Sequence, residues 1–412
     1  MQIASPGRPH LTYCTNIYRG ESLTEVRAAI DEQVARVREA LSPPGSFGVG
    51  LRLSARAAEE LSLPGAIDGL RDLLARHSLY VFTINGFPYG AFHGERVKEA
   101  VYRPDWLERE RVSYTDRLAR HLALLLPSGC SGSVSTVPGA FRSRARAPGS
   151  AAVIAEHILQ HTATLFRVRE ETGKLIELAL EPEPCCLLET TADTTQFFDE
   201  HLFTHVAARR LGALTGLSDS AAAAFLRRHV GVCLDACHLA VEFEEARASV
   251  ASLRDHGIRI GKIQVTAALS TRLTGQAGKD APILEELERY ADGVYLHQVV
   301  ERSEAGLVRH LDLPDAIQAA RSPESRAPSE WRVHFHVPVF AERLEPLGST
   351  QPFLRDLLSL VSEECVTEHL EVETYTWDVL PPEHRETDVS QAIARELRWT
   401  IRQATARPKS GS

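Results

Sequence analysis

Residues 231–245 read GVCLDACHLAVEFEE, an uninterrupted apolar run that ends on Asp235 and is followed three positions later by His238. A buried strand ending on a carboxylate and then an imidazole is costly unless both groups find partners. A divalent cation held at the strand end would be such a partner. The fold depends on whether this ending stands alone or recurs.

It recurs. Upstream, short apolar runs alternate with amphipathic stretches: residues 10–18 then 22–41, 47–54 then 66–79, 80–93 then a helix near 114–126, 129–141 then 151–173, and 174–184 then a helix through the 190s. In the first helical stretch Leu23, Val26, Ile30, Val34 and Val37 recur at three- and four-residue spacing, and Ser22 with Glu25 forms a capping box. Gly173 suits a helix C-cap. The sixth unit is 229–243 followed by 244–258, and the seventh strand is 258–269. Repeated βα units of this length predict a parallel (β/α)8 TIM barrel. Three strand-like runs remain, at 294–313, 331–340 and 369–377. The first reads as a β-hairpin inserted between strands seven and eight. The third is taken as strand eight, because the helix 388–403 follows it, and HFHVPV then lies in the connecting loop over the barrel mouth. One domain over 1–403 is expected, with an insertion at about 292–345 and a disordered tail at 404–412.

Composition narrows the class. The 412 residues carry 46 basic and 55 acidic side chains, a net charge of −9, with 43% hydrophobic residues. That balance excludes global disorder and argues against nucleic acid as the partner, which calls for a clustered basic face. Seven cysteines without framework spacing indicate free thiols and a cytoplasmic setting, and no run approaches the roughly 20 apolar residues that span a bilayer. The Cys233/Cys237 and Cys185/Cys186 pairs read as small buried hydrophobes.

In such a barrel, functional groups sit at the C-terminal strand ends. Those positions here are Asn16, Arg52, Asn85, Thr136, Glu181, Asp235, Gln264 and Glu373. Glu181, Asp235, Gln264 and Glu373 are oxygen donors, His238 follows within a turn, and His334 with His336 alternate on one strand face. Together they form a candidate metal set. Oxygen-rich donors suit Mg or Mn, and the added imidazoles shift the choice toward Zn. Glu181, Glu373 and His238 are the candidate catalytic groups. The Gly- and Pro-punctuated segment after strand three supplies Asn85, Phe87, Tyr89, His93 and Lys98, which with Asn16 form the candidate substrate wall.

This order of residues resembles the xylose isomerase-like superfamily, which includes sugar phosphate isomerases and epimerases, inosose dehydratases and an AP endonuclease branch. The runs INGFPYGAFHGERVKEAVYRPDW (84–106), VSTVPG (134–139) and LALEPEP (178–184) are similar to EboE-type metabolite traffic proteins of bacterial ebo operons. The resemblance implies a metal-dependent isomerase or epimerase acting on a small polyhydroxylated or carbonyl metabolite, with operon-encoded partners or a homodimer as its associations. A cyclitol-type dehydratase, a non-catalytic metabolite-binding barrel and an endonuclease-like phosphodiesterase are the alternatives. Two features depart from the simplest isomerase pattern: Gln264 stands where a histidine is common, and the loop between strands seven and eight is enlarged.

Overall fold

The computed structural model describes residues 1–91, 98–291, 293–322, 327–385 and 388–406. Seven parallel strands come first: β1 (His10–Tyr13), β2 (Phe47–Arg52), β3 (Leu79–Asn85), β4 (Gly132–Thr136), β5 (Ile176–Leu180), β6 (Val230–Asp235) and β7 (Arg259–Val265). Six more follow: β8 (Ala268–Leu273), β9 (Val299–Ser303), β10 (Gly306–His310), β11 (Ser329–His336), β12 (Arg343–Leu344) and β13 (Leu347–Ser349). The last is β14 (His369–Val372).

The first seven and β14 form one parallel sheet, ordered β1-β14-β7-β6-β5-β4-β3-β2. The register brings Glu371 beside Gln264, and Asp235 beside Gln264 from the other side. The ring closes between β1 and β2 through a parallel bridge from Cys14 to Gly50. Thr12 Oγ1 donates to Gly48 O at 2.7 Å and accepts from Gly50 N at 3.1 Å. The expected (β/α)8 barrel is the fold, with 369–377 supplying the eighth strand.

Local signals were obeyed. Ser22 and Glu25 form the capping box, and Leu23, Val26, Ile30, Val34 and Val37 are all buried. Gly173 closes the helix Ser150–Thr172 at φ 68°, where a side chain would be strained. All seven cysteines are free. Among the described residues no helix is long and apolar enough to cross a membrane.

The insertion is larger than a hairpin. The β9–β10 hairpin is present, but it belongs to a six-stranded antiparallel sheet ordered β10-β9-β11-β8-β13-β12. HFH is not loop: it ends β11, which is paired on both sides, with β8 and with β9. β8 escaped notice because ALSTRL follows the barrel strand after two residues and merges with its apolar run. Cys237, Val241, Ala268 and Val300 form a small separate apolar cluster that joins this sheet to the helix Ala236–Val241. The insertion is thereby anchored beside the Asp-x-x-His ending of β6. The helix Val389–Ala404 is the last described element, and positions 407–412 of the expected tail lie outside the described residues.

Candidate metal centre at the barrel mouth

Asp235 does two jobs at the end of β6. It is the N-cap of the helix Ala236–Val241, its Oδ1 accepting from His238 N at 3.0 Å, and the same oxygen accepts from Thr266 Oγ1 at 2.7 Å. The three-residue spacing is therefore a capping geometry that also brings the His238 ring back over the carboxylate. Asp235 Oδ2 has no hydrogen-bond partner, although the residue is fully buried.

Three imidazoles converge on this point with one protonation pattern. His238 Nδ1 faces Pro182 O at 2.8 Å, His334 Nδ1 faces Gln298 Oε1 at 2.8 Å, and His336 Nδ1 faces Glu373 O at 2.6 Å. The Gln298 amide is oriented by its own Nε2, which donates to Pro184 O at 3.2 Å. A carbonyl only accepts, so each Nδ1 carries the hydrogen, and the neutral rings of His334 and His336 present a bare Nε2 lone pair. Burial holds His334 well below the ordinary imidazole range and His336 down at about 4, which keeps both rings neutral. His238 Nε2 and His334 Nε2 then face each other at 3.1 Å, and His336 Nε2 has no partner. At that distance the two nitrogens share either a hydrogen or a cation.

The carboxylates complete the set. Ligand atoms of Glu181, Asp235 and Glu373 lie within 4.8 Å of one another, as do those of Asp235, His238 and His336. Glu181 Oε2 is buried without a partner. Burial first, then the Glu373 and Asp235 charges, push the Glu181 carboxyl well above the usual carboxylate range. Burial, Asp235 and Glu371 do the same to Glu373. Glu373 is firmly held nonetheless: Oε1 accepts from Asn16 Nδ2 at 2.6 Å and Asn85 Nδ2 at 2.8 Å, and Oε2 accepts from Gln264 Nε2 at 2.7 Å. Three clustered buried carboxylates and the imidazole nitrogens beside them form a donor set that fits a divalent cation. Glu181, Asp235 and Glu373 would hold it together with His238 and His336, which share Asp235, and His334 joins through His238 and Glu183.

Gln264, expected as a ligand, is committed elsewhere. Its Nε2 donates to Glu373 while its Oε1 accepts from Cys233 Sγ at 3.1 Å, so the amide orients a carboxylate instead of offering its oxygen to a cation. A strand-end glutamine cannot reveal which way its amide will turn. Asn16 and Asn85, expected as substrate groups, likewise spend their amide donors on Glu373, though both border the cavity. Phe87 and Lys98 line the cavity as well; Tyr89 instead packs edge-on to Tyr114 at 5.0 Å. His93 lies outside the described residues.

Four contributors were not foreseen. Glu183 carries an unpartnered buried Oε2 and forms a second cluster with His238 and His334. Burial lifts its carboxyl to about 7, against the pull of His238 and of the Tyr102 hydroxyl, which donates at 2.6 Å. The repeated Glu-Pro of EPEP was the available signal, since both carboxylates follow the same strand end. Gln298, Tyr102 and Tyr375 had no sequence signal, because they arrive from the insertion and from loops. Beneath the cluster Lys262 Nζ meets Glu371 Oε2 at 2.5 Å and Ser135 Oγ at 3.0 Å, all fully buried. Burial opposes the Lys262 charge, and Glu371 outweighs it, leaving the ammonium raised above its ordinary range.

The architecture defines a class: a (β/α)8 TIM barrel with a candidate metal centre at the C-terminal end of its strands. Among solved structures the chain is similar to a xylose isomerase-like TIM barrel protein from Mycobacterium smegmatis in complex with magnesium, at 11% identity over 98% of this chain and 99% of that one, with a TM-score of 0.51. It is more distantly similar to the IolI protein with a bound zinc atom (12% identity, 98% and 100% covered, TM-score 0.45). The probable 3-DHS dehydratase AsbF from Bacillus anthracis stands at 11% identity, 94% and 97% covered, TM-score 0.42. At these identities the likeness is one of fold. No protein-family model matches the chain, and no curated protein matches it.

Proposed function

We propose that the protein is a divalent-metal-dependent enzyme of the isomerase or epimerase type, acting on a small polyhydroxylated or carbonyl metabolite, in a role of metabolite maturation or traffic like that of the EboE-type proteins it resembles. The observation that carries this reading is the overlap of three buried donor sets, Glu181–Asp235–Glu373, Asp235–His238–His336 and Glu183–His238–His334, each with its ligand atoms within 4.8 Å, beside a cavity at the barrel mouth. A cation bound there supplies Lewis-acid polarisation of a substrate oxygen.

The chain's own residues supply the rest. Asn16, Asn85 and Gln264 fix Glu373, and Thr266 with the helix N-terminus fixes Asp235. Glu181 and Glu183 line the cavity with unpartnered oxygens, and in this reading one of them takes a proton from a carbon beside a substrate carbonyl and returns it. The rings of Phe87, Tyr102 and Tyr375 border the same space and restrict water. A phosphodiesterase role draws no support, since the site floor is acidic and the chain carries a net charge of −9.

The test is metal content by mass spectrometry, followed by proton exchange in deuterium oxide across a panel of polyols, ketoses and their alkyl- and aryl-substituted derivatives. Stoichiometric metal and deuterium incorporation beside the carbonyl are expected. A protein that retains no divalent metal, or a loaded one that exchanges no substrate proton, would overturn the reading.

A further inference from the structure

The cavity has two unlike halves. Its floor carries Glu181, Glu183, Glu373 and the neighbouring Asp235, four carboxylates against the two positive charges of one divalent cation. Its upper wall is apolar: Phe87, Pro88 and Val101 come from the segment after β3, Tyr295 and Leu296 from the insertion just before β9, and Tyr375 from the turn after β14. Tyr295 and Tyr375 meet edge to face with ring centroids 5.1 Å apart. The insertion thus contributes apolar surface to the mouth in addition to its imidazoles.

Lys98 is the one cation among the described lining residues, and it is engaged. Its Nζ lies 2.5 Å from Asp312 Oδ2, and the other Asp312 oxygen accepts from His297 N at 3.0 Å and Leu313 N at 3.1 Å. A phosphate or carboxylate entering here would have to displace Asp312 from Lys98 while approaching an acidic floor. A bare polyol fares little better, because most hydroxyls turned toward Phe87, Pro88, Val101, Leu296 and the tyrosine rings would lose their water against carbon.

We infer that the substrate is uncharged and amphiphilic: an oxygen-bearing head that reaches the cation site, joined to an apolar ring or chain that lies against the wall of Phe87, Val101, Tyr295, Leu296 and Tyr375. This rests on the metal-dependent reading above and narrows its substrate class, setting sugar phosphates and unsubstituted sugars aside. Burying even a modest apolar group against that wall raises affinity by roughly tenfold or more.

The probes are hydroxamates, which chelate a divalent metal through two adjacent oxygens whatever the natural head group. The full chain is loaded with Mn2+ or Zn2+, its metal content is measured, and calorimetry gives the Kd of acetohydroxamate, benzohydroxamate and phosphoglycolohydroxamate. Benzohydroxamate is expected to bind about tenfold tighter than acetohydroxamate, the phosphorylated compound no tighter than acetohydroxamate, and Leu296→Ser to erode the benzohydroxamate gain. Equal affinities, tighter binding of the phosphorylated probe, a gain that survives in Leu296→Ser, or a loaded protein that binds none of the three would overturn the inference. A chain that holds no metal defeats the underlying reading as well. Acetohydroxamate binding without the aromatic gain defeats this inference alone.

Discussion

Gln298→Leu tests whether the imidazole protonation pattern serves a metal. The amide accepts from His334 Nδ1 at 2.8 Å and donates to Tyr102 Oη at 3.0 Å and Pro184 O at 3.2 Å. Leucine is close in volume, so the pocket stays filled, but His334 loses the acceptor that fixes its hydrogen on Nδ1. The ring is then free to place that hydrogen on Nε2, where it faces His238 Nε2 at 3.1 Å and no longer offers a lone pair. Removing such a support from a metal-ligating histidine weakens metal binding by roughly 10–100-fold, equivalent to about 1.4–2.7 kcal/mol. Three lost hydrogen bonds cost fold stability about 1 kcal/mol each. Gln298→Glu keeps an acceptor for His334 and is expected to retain most of the affinity. Competition between protein and a chelator of known affinity gives the metal Kd, with circular dichroism confirming the fold. A folded Gln298→Leu protein with the wild-type metal Kd would refute the claim that His334 contributes to the cation site.

Further outcomes follow from the buried charges and the tight ring closure. Burial raises the Glu396 carboxyl to about 8, against hydrogen bonds from Thr374 and from Val339 N. Because the folded value lies above the ordinary 4.5, its contribution to stability is complete below about pH 4.5 and is lost as pH climbs through about 8. Glu396→Gln should therefore raise the urea midpoint at pH 8.5 and change it little at pH 4.5; parallel pH profiles for the two proteins would contradict this. Lys262→Met strands Glu371 beneath the metal site and should cost roughly 3–5 kcal/mol, with the Lys262→Met/Glu371→Leu pair recovering much of it in denaturant melts. No recovery in the double variant would show that the lysine matters for something besides its partner. At Gly50 a Cβ would fall 1.9 Å from Glu371 Oε1 and 2.6 Å from Tyr13 O, where β1 and β2 close the ring. Gly50→Ala should cost about 3 kcal/mol, whereas Gly45, with nothing within 4 Å of its Cβ but a φ of 105°, should cost less on the same substitution.

The barrel was legible because its signals are local. Short uninterrupted apolar runs, the Ser22–Glu25 capping box and the Gly173 stop each act within a few residues, and eight such strands in series leave one closed parallel architecture. Much of the site was legible for the same reason: Glu181, Asp235 and Glu373 end strands, and strand ends in such a barrel share one face. The six-stranded insertion was less legible. Two residues separate its β8 from β7, and the partners of β8, β11 and β13, lie tens of residues away, so no local pattern separates it from the barrel.

By itself the sequence determined that the chain is a (β/α)8 barrel and that several ligand-type residues gather at its mouth, because strand period and chain direction fix which ends meet. What each polar group does there was decided only by the tertiary structure. Gln264 turned its amide to Glu373 and Cys233, Asn16 and Asn85 gave their donors to the same carboxylate, and Glu183 with Gln298 joined the imidazoles. The physical reason is that a buried side chain takes its role from the partners nearest its donors and acceptors. Those partners come from β3, β6, β7, the insertion and the turns after β1, β5 and β14, segments that only folding brings into hydrogen-bond reach of one another.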